Sequence, residues 1–225
     1  MVCLQIDLYS NANASEPKEL FDLLFDAFNT RFKANSTKDD EERERLLKLS
    51  LKKVNFLLKV APTYSRGLYL RSQIRHDNSY YQYKFDLIGA LNDINEAINI
   101  EPEKYNYYEQ RADIMQSLYD EAKDIHKDLK YFDSSRPCNG GYEYFFDCNK
   151  LQNQTKNSLE SKIIKIKDDY KLKILKDYDK SISLLKQKED YPYDSSLHYN
   201  YWYKSDFLYS EEEYNKALPN MNKAI

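Results

Sequence analysis

Few residues in this 225-residue chain have the type and spacing that chemistry requires. Ser50 and Lys53 stand three apart, as in pairs where a lysine takes a proton from a serine nucleophile. They fall in a segment whose apolar residues recur at helical intervals, with Ser50 on the packing stripe, so the pair reads as packing. Cys138 and Cys148 have nine residues between them and share a stretch with Gly140 and Gly141. Structural zinc asks for cysteines two to four apart and a second pair elsewhere. His126 and His198 could in principle complete such a set, but the spacing favours two ordinary thiols, with a reversible disulfide as the alternative. No Gly-rich phosphate loop, His-Glu-x-x-His pair or nucleophile elbow is present. The expectation is therefore no catalytic residue, no metal, no cofactor and no enzyme.

Composition narrows the fold that must carry whatever the chain does instead. With 4 Gly and 6 Pro it lacks the breakers that an all-β chain of tight turns needs, which favours long helices. The 34 basic and 37 acidic side chains nearly balance, unlike the basic excess of nucleic-acid binders. No apolar window is long enough for a transmembrane helix, and residues 1–10 lack the pattern of a signal peptide. Three cysteines, an odd number, suit a reducing compartment better than a disulfide framework. The expected location is cytoplasmic. Tyrosine is the outlier, at 22 residues. An AT-rich genome would enrich Lys, Asn, Ile and Tyr together; Tyr also supplies large amphipathic contact surface.

Periodicity divides the chain. Leu20, Leu24, Phe25, Phe28 and Phe32 form one helical stripe, with Ser15 as a cap and Pro17 in the first turn. The polar stretch 34–44 reads as a connection and the solvated start of a second helix, whose stripe Leu46, Leu47, Ser50, Val54, Leu57, Leu58 ends at Pro62. Helices are expected over 64–76, 85–100 and 105–129, the last bent near Tyr119 or split, with a loop at Asp77, Asn78 and Ser79. Residues 133–150 are the clearest interruption. Beyond them Ile163, Ile166, Tyr170, Ile174, Tyr178, Ile182 and Leu185 predict one long helix. Residues 197–209 and 214–225 predict a final pair. The expected organisation is an N-terminal helical hairpin or cap (1–62), hairpins (63–132), a loop insertion (133–155), then the long helix with a C-terminal hairpin (156–225).

A short signature recurs three times: Arg71-Ser72, Arg111-Ala112 and Lys204-Ser205, with Leu68, Tyr108 and Tyr201 three positions before each basic residue. Ser72 follows Pro62 by ten residues, as Ala112 follows Pro102. Upstream, Ser50, Val54 and Leu57 precede Pro62 as Ala90, Ile94 and Ala97 precede Pro102; Ala217, Met221 and Ala224 repeat the pattern. Helices approach closely only where a small side chain sits at the crossing, and a proline after the second helix forces a turn into the next hairpin. These residues resemble the tetratricopeptide repeat family, most fully at Tyr201, Ser205, Leu208, Tyr214, Ala217, Met221 and Ala224, and again over Asp86 to Ile114. The resemblance covers about half the chain and implies an all-α superhelix, a solenoid of helical hairpins, here with a long helix and a loop insertion. It departs from the pattern in the uneven hairpin lengths and in the loss of the motif after Leu118. The last repeat is also cut at Ile225, which predicts either further chain or another element covering that end.

In that family the first helices of successive repeats line a concave peptide-binding surface. The matching positions are Tyr69, Gln73 and His76, then Glu109, Asp113 and Gln116, then Trp202, Asp206 and Tyr209. Each trio is spaced i, i+4, i+7 and so forms one stripe. The set is polar, acidic and aromatic. The alternative for Trp202, the one Trp, and Tyr209 is that they fill space against the long helix. The expected function is a protein-interaction module holding a basic or neutral partner protein or peptide in an acidic, aromatic groove. The alternative is a sensor or regulatory domain of a larger enzyme, a protease or kinase, whose catalytic part lies beyond residue 225. RNA binding is a weaker third reading, disfavoured by the net charge of −3.

Overall fold

In the computed structural model, residues 18–79, 86–129, 144–146, 155–187 and 195–224 are described. Among them every regular element is an α-helix, and neighbouring helices pack in pairs. None is long and apolar enough to cross a membrane. The chain divides into two compact units, residues 1–86 and 87–225. The first holds α1 (Lys18–Ser36), α2 (Asp40–Val60) and α3 (Ser65–Ser79). The second holds α4 (Leu87–Ile100), α5 (Tyr105–Asp128), α6 (Lys156–Lys186), α7 (Ser195–Ser210) and α8 (Tyr214–Met221).

In the first unit, α1 and α2 cross where Ala27 meets Ser50, both fully buried. The Ser50 hydroxyl donates to the Ala27 carbonyl at 2.7 Å, which explains the serine at a packing position beside Lys53. The connection expected over 34–44 shrinks to residues 37–39. Ala34 is fully buried inside α1, and Asp39 caps α2 by accepting from the Glu42 amide at 2.8 Å. The rest of the polar run is the solvated start of α2, as expected, laced by Arg43–Asp40 and Arg45–Glu42 pairs at 2.6 Å. The expected loop at Asp77 is also helical, because Arg31 from α1 grips the Asp77 carboxylate at 2.6 Å and Asn35 adds a bond at 3.0 Å. Ser15 and Pro17 lie outside the described residues.

The strongest sign of a repeat is structural. At a shift of 40 residues, α2–turn–α3 and α4–turn–α5 bury matching positions: Val54 and Ile94, Leu57 and Ala97, Leu58 and Ile98, Leu68 and Tyr108, Ser72 and Ala112, Ile74 and Ile114. The basic residue of each signature reaches back to the preceding helix. Arg71 donates to Asn55 at 3.2 Å, Arg111 to Asn95 at 2.9 Å, and Lys204 to Asp179 at 2.6 Å.

In the second unit, α5 is one continuous helix of 24 residues, and α6, 31 residues long, is the single long helix expected. Thr155 caps α6 by accepting from the Ser158 amide. One core joins Ala112, Met115 and Tyr119 of α5 to Ile174 and Tyr178 of α6 and Phe207 of α7. A second joins Ala122, Ile125 and Leu129 to Leu159, Ile163 and Phe146. Phe146 belongs to the expected insertion; Cys138, Cys148, Gly140 and Gly141 lie outside the described residues. The final helix is shorter than expected. It stops at Met221, with Pro219 removing one backbone donor inside it and Asn222 closing its end. Ala217 is buried against α7, where the Ser205 hydroxyl donates to its carbonyl at 3.1 Å, but Met221 is exposed and Ala224 lies past the helix.

Two predictions follow from this packing. The Arg111 guanidinium also forks onto Asp177 of α6, with both bonds at 2.7 Å, and Asp177 is buried. Arg111→Ala leaves that carboxylate without its cation and is expected to lower unfolding free energy by about 3 kcal/mol in chemical denaturation. Asp177→Asn in the same background is expected to recover part of the loss. Glu212 sits at φ 60° between α7 and α8, where the Glu213 amide bonds Leu208 and the Glu212 amide bonds Tyr209. That bonding is a Schellman cap, which favours glycine at the left-handed position. Glu212→Gly is expected to raise stability by roughly 0.5–1 kcal/mol, read as a higher melting temperature.

Candidate functional site

The three stripes expected from the sequence have different surroundings. On α3, Gln73 is buried and its carbonyl accepts from Arg31 at 3.1 Å, so this side chain faces α1 rather than solvent. Tyr69 and His76 are half-buried. Burial holds the His76 imidazole below its ordinary value; Asp77 opposes that shift and Arg31 adds to it. Arg31, Gln73 and Asp77 therefore form one hydrogen-bonded patch within the first unit.

In the second unit, α5 and α7 both pack against α6, and side-chain bonds link α5 to α7. The α5 stripe of Glu109, Asp113 and Gln116 is half-buried. Glu109 accepts from the Asn200 amide of α7 and, at 3.5 Å, from the Ser181 hydroxyl of α6. Asp113 accepts from the Tyr178 hydroxyl of α6 at 3.4 Å. Loss of water around Asp113 outweighs this bond and raises its carboxyl from the ordinary 3.8 to about 6. The same carboxylates act on their neighbours. Tyr178, desolvated and next to Asp113, is pushed well above its usual range. Burial raises Tyr203 too, and the nearby charges of Asp113 and Glu109 add to that shift. Asn200 is fully buried, and its side-chain oxygen has no hydrogen-bond partner.

The α7 stripe is open. Trp202 is 48% exposed and Tyr209 57% exposed, and Asp206 is exposed between them. Space-filling against the long helix does not describe these rings. Two further aromatics join them: Tyr199, 52% exposed, and Tyr203, 44% exposed. The Trp202 and Tyr203 ring centroids are 5.1 Å apart edge to face, and those of Tyr199 and Tyr203 are 6.4 Å apart. Tyr209 packs edge to face on Tyr214 of α8 at 5.1 Å. The result is an aromatic face with an acidic edge, backed by the two α5 carboxylates.

Sequence spacing identified Trp202, Asp206 and Tyr209 as one stripe and Glu109 with Asp113 as another. It missed Tyr199, Tyr203, Asn200 and Tyr178. A signal was present: Tyr199, Tyr201, Trp202, Tyr203, Phe207 and Tyr209 surround the α7 helix, and a helix packed on two sides cannot bury all six. Among the described residues no group of three His, Cys, Asp or Glu side chains could hold a metal ion. His126, half-buried, meets Lys167 at 3.3 Å and Glu160 at 3.6 Å, and His198 is exposed on α7.

No family model, curated protein or solved structure matches this chain.

Asp113 supplies a pH test of that geometry. A carboxyl with a raised folded pKa makes the folded state bind the extra proton, so its penalty is full above about pH 6 and disappears as pH falls toward 4. Asp113→Asn is expected to stabilise the protein at pH 7.5 by roughly 1–2 kcal/mol, with the advantage shrinking to zero near pH 4. Parallel denaturation curves of the two proteins across that range check it. An advantage that is constant with pH would contradict the desolvated placement.

Proposed function

We propose that this chain is a tetratricopeptide-type stack of helical hairpins that acts as a non-enzymatic protein-interaction module. It takes a basic or neutral extended segment of a partner protein on the α5–α7 face. The observation that carries this reading is the exposure of Tyr199, Trp202, Tyr203 and Tyr209 along a well-packed helix. Exposed aromatic rings held on a rigid scaffold contribute large contact area with little ordering cost, and Trp and Tyr recur as interface anchors. Asp206 on the same face and Glu109 and Asp113 behind it give the surface one sign of charge, which selects against acidic partners.

The hairpin geometry supports the same reading. The matched burial of α2–α3 and α4–α5, and the three basic residues reaching back to the preceding helix, support reading each of these steps as the second helix of one hairpin leading into the first helix of the next. Serial helical units of this kind present side chains from successive first helices, the positions that α5 and α7 occupy.

The test is affinity purification from the source cells with the full chain and with Trp202→Ala, each verified as folded by circular dichroism. Proteins captured by the parent are expected to fall by roughly tenfold or more with the variant, the loss typical of a central aromatic anchor. Equal capture by a folded Trp202→Ala protein would remove this face as the binding surface.

A further inference from the structure

Three helices of this chain are covered by the next helix in one shared register. In α2, counted from the buried Ser50, Val54 is buried four positions on, and Asn55, five on, accepts from Arg71 of α3. In α4, counted from the buried Ala90, Ile94 is buried and Asn95 accepts from Arg111 of α5. In α6, counted from the buried Ile174, Tyr178 is buried and Asp179 accepts from Lys204 of α7. The residue directly after each starting position is a leucine: Leu51, Leu91 and Leu175, all half-buried. Leu91 and Leu175 pack against the core that α5, α6 and α7 share. Each seat is therefore a leucine, a buried large residue and an acceptor beside it, and each is filled by a helix that brings a cation to the acceptor.

The last helix, α8, carries the same series without a helix over it. Ala217 is buried against α7, Leu218 follows it, Met221 stands four positions on and Asn222 five. Asn222 keeps the helical register, at φ −64° and ψ −20°, with its amide bonded to the Leu218 carbonyl at 3.0 Å. Leu218 is 59% exposed and Met221 38% exposed, where their counterparts are half-buried and buried. Tyr214, 53% exposed, stands where α2 and α4 carry the buried Leu47 and Leu87. Among the described residues no Lys or Arg reaches the exposed Asn222 side chain.

We propose that the outer face of α8, made of Tyr214, Leu218, Met221 and Asn222, is a seat for one helix of a partner protein. That helix carries a large residue, a Lys or Arg three positions later, and a small residue directly after the cation. In the helices that fill the other three seats, the large and small places belong to Leu68 and Ser72, Tyr108 and Ala112, and Tyr201 and Ser205, all buried. The small residue lets the axes approach, the large one covers the leucine and methionine, and the cation donates to the amide oxygen of Asn222. Tyr214, Leu218 and Met221 are spaced i, i+4, i+7, the form of surface on which an amphipathic helix lies. A second copy of this chain does not bring such a helix among its described residues. Its α3, α5 and α7 are already seated, and α1 carries Asp26 before Ala27, with that carboxylate paired to Lys53 at 2.8 Å. This is a second surface, and the proposal stands independently of the α7 face.

The seat in α4 matches that in α8 most closely, Ala90-Leu91 and Ile94-Asn95 against Ala217-Leu218 and Met221-Asn222, and α5 fills it. The probe is therefore a blocked, fluorescein-labelled peptide with the sequence of residues 104–118, titrated into the full chain and followed by anisotropy. The chain has 3 Met, so carbon-13 labelling of their methyl groups gives a local reading at Met221. The expected result is saturable binding that moves the Met221 resonance. Replacing the peptide's arginine by alanine is expected to weaken it about threefold. Met221→Glu, at an exposed position, is expected to weaken it about tenfold with an unchanged circular dichroism spectrum. Asn222→Asp gives α8 the kind of acceptor that α6 has in Asp179 and is expected to tighten binding about threefold, a gain that misfolding does not produce. No saturable binding, a Met221 resonance that stays in place, equal binding of the alanine peptide, or no gain in Asn222→Asp overturns the proposal. A dimer of the chain that Met221→Glu dissociates overturns it too, by giving the seat to a second copy. Trp202→Ala is expected to leave peptide binding unchanged; a loss there would put the peptide on the α7 face and remove the α8 seat.

Discussion

The whole arrangement depends on small side chains at the helix crossings. Ala27 with Ser50, Ser72 on α3, Ala90 and Ala97 on α4, Ala112 on α5, and Ser205 with Ala217 are buried nearly to zero. A larger residue at any of them would hold the axes apart by the width of a side chain, and the flanking leucines and isoleucines would lose their partners. The serines do more than save space. Ser50 and Ser205 each place a hydroxyl proton on a carbonyl of the neighbouring helix, which satisfies the buried hydroxyl and fixes the register of the crossing. The same device closes the first hairpin of one unit and the last hairpin of the other.

Close approach makes α5 the centre of the second unit, and it divides that helix by chemistry. Its C-terminal half packs Ala122, Ile125 and Leu129 into an apolar core with α6. Its N-terminal half carries Arg111, Glu109 and Asp113, charges that a close-packed bundle must satisfy individually. Arg111 is fully served, by Asn95 on one side and Asp177 on the other. Among the described residues Asp113 is served by a tyrosine hydroxyl alone, and burial raises its carboxyl pKa. The two acids and the base sit on one helix within two turns. The difference between them is which side chains of α4, α6 and α7 they meet.

What could be read in the sequence follows from which forces are local. The 31-residue α6 was legible because its apolar residues step by three and four over its whole length. The crossings were legible because small residues recur at fixed distances from Pro62 and Pro102. The connection and solvated helix start expected over 34–44 are present but the connection is shorter, and the loop expected at Asp77 is helical. Asp39 provides a cap that polar composition conceals, and Arg31 holds Asp77 from another helix. The early end of α8 differs from the helix expected to 225: the Ala217, Met221, Ala224 spacing continues past Pro219, and the helix stops at Met221. On the candidate face, the exposed stripe of α7 and the acidic stripe of α5 were legible as separate patterns. That they meet across Asn200 was not, since one hydrogen bond spanning 91 residues leaves no trace in local spacing.

The aromatic excess of α7 has a geometric reason. One sector of the helix must face α8, through Ser205 and Leu208; another must face α5 and α6, through Asn200 and Phe207. The remaining sector is left to solvent, and on a helix whose only task was packing it would carry mostly Lys, Glu or Gln. Instead it carries Tyr199, Trp202, Tyr203 and Tyr209. Biased composition supplies tyrosine anywhere in the chain, but it does not explain the one Trp on the same sector. A helix locked on two sides cannot rotate to hide such a face, so the exposure is fixed by the same close crossings that hold the bundle together.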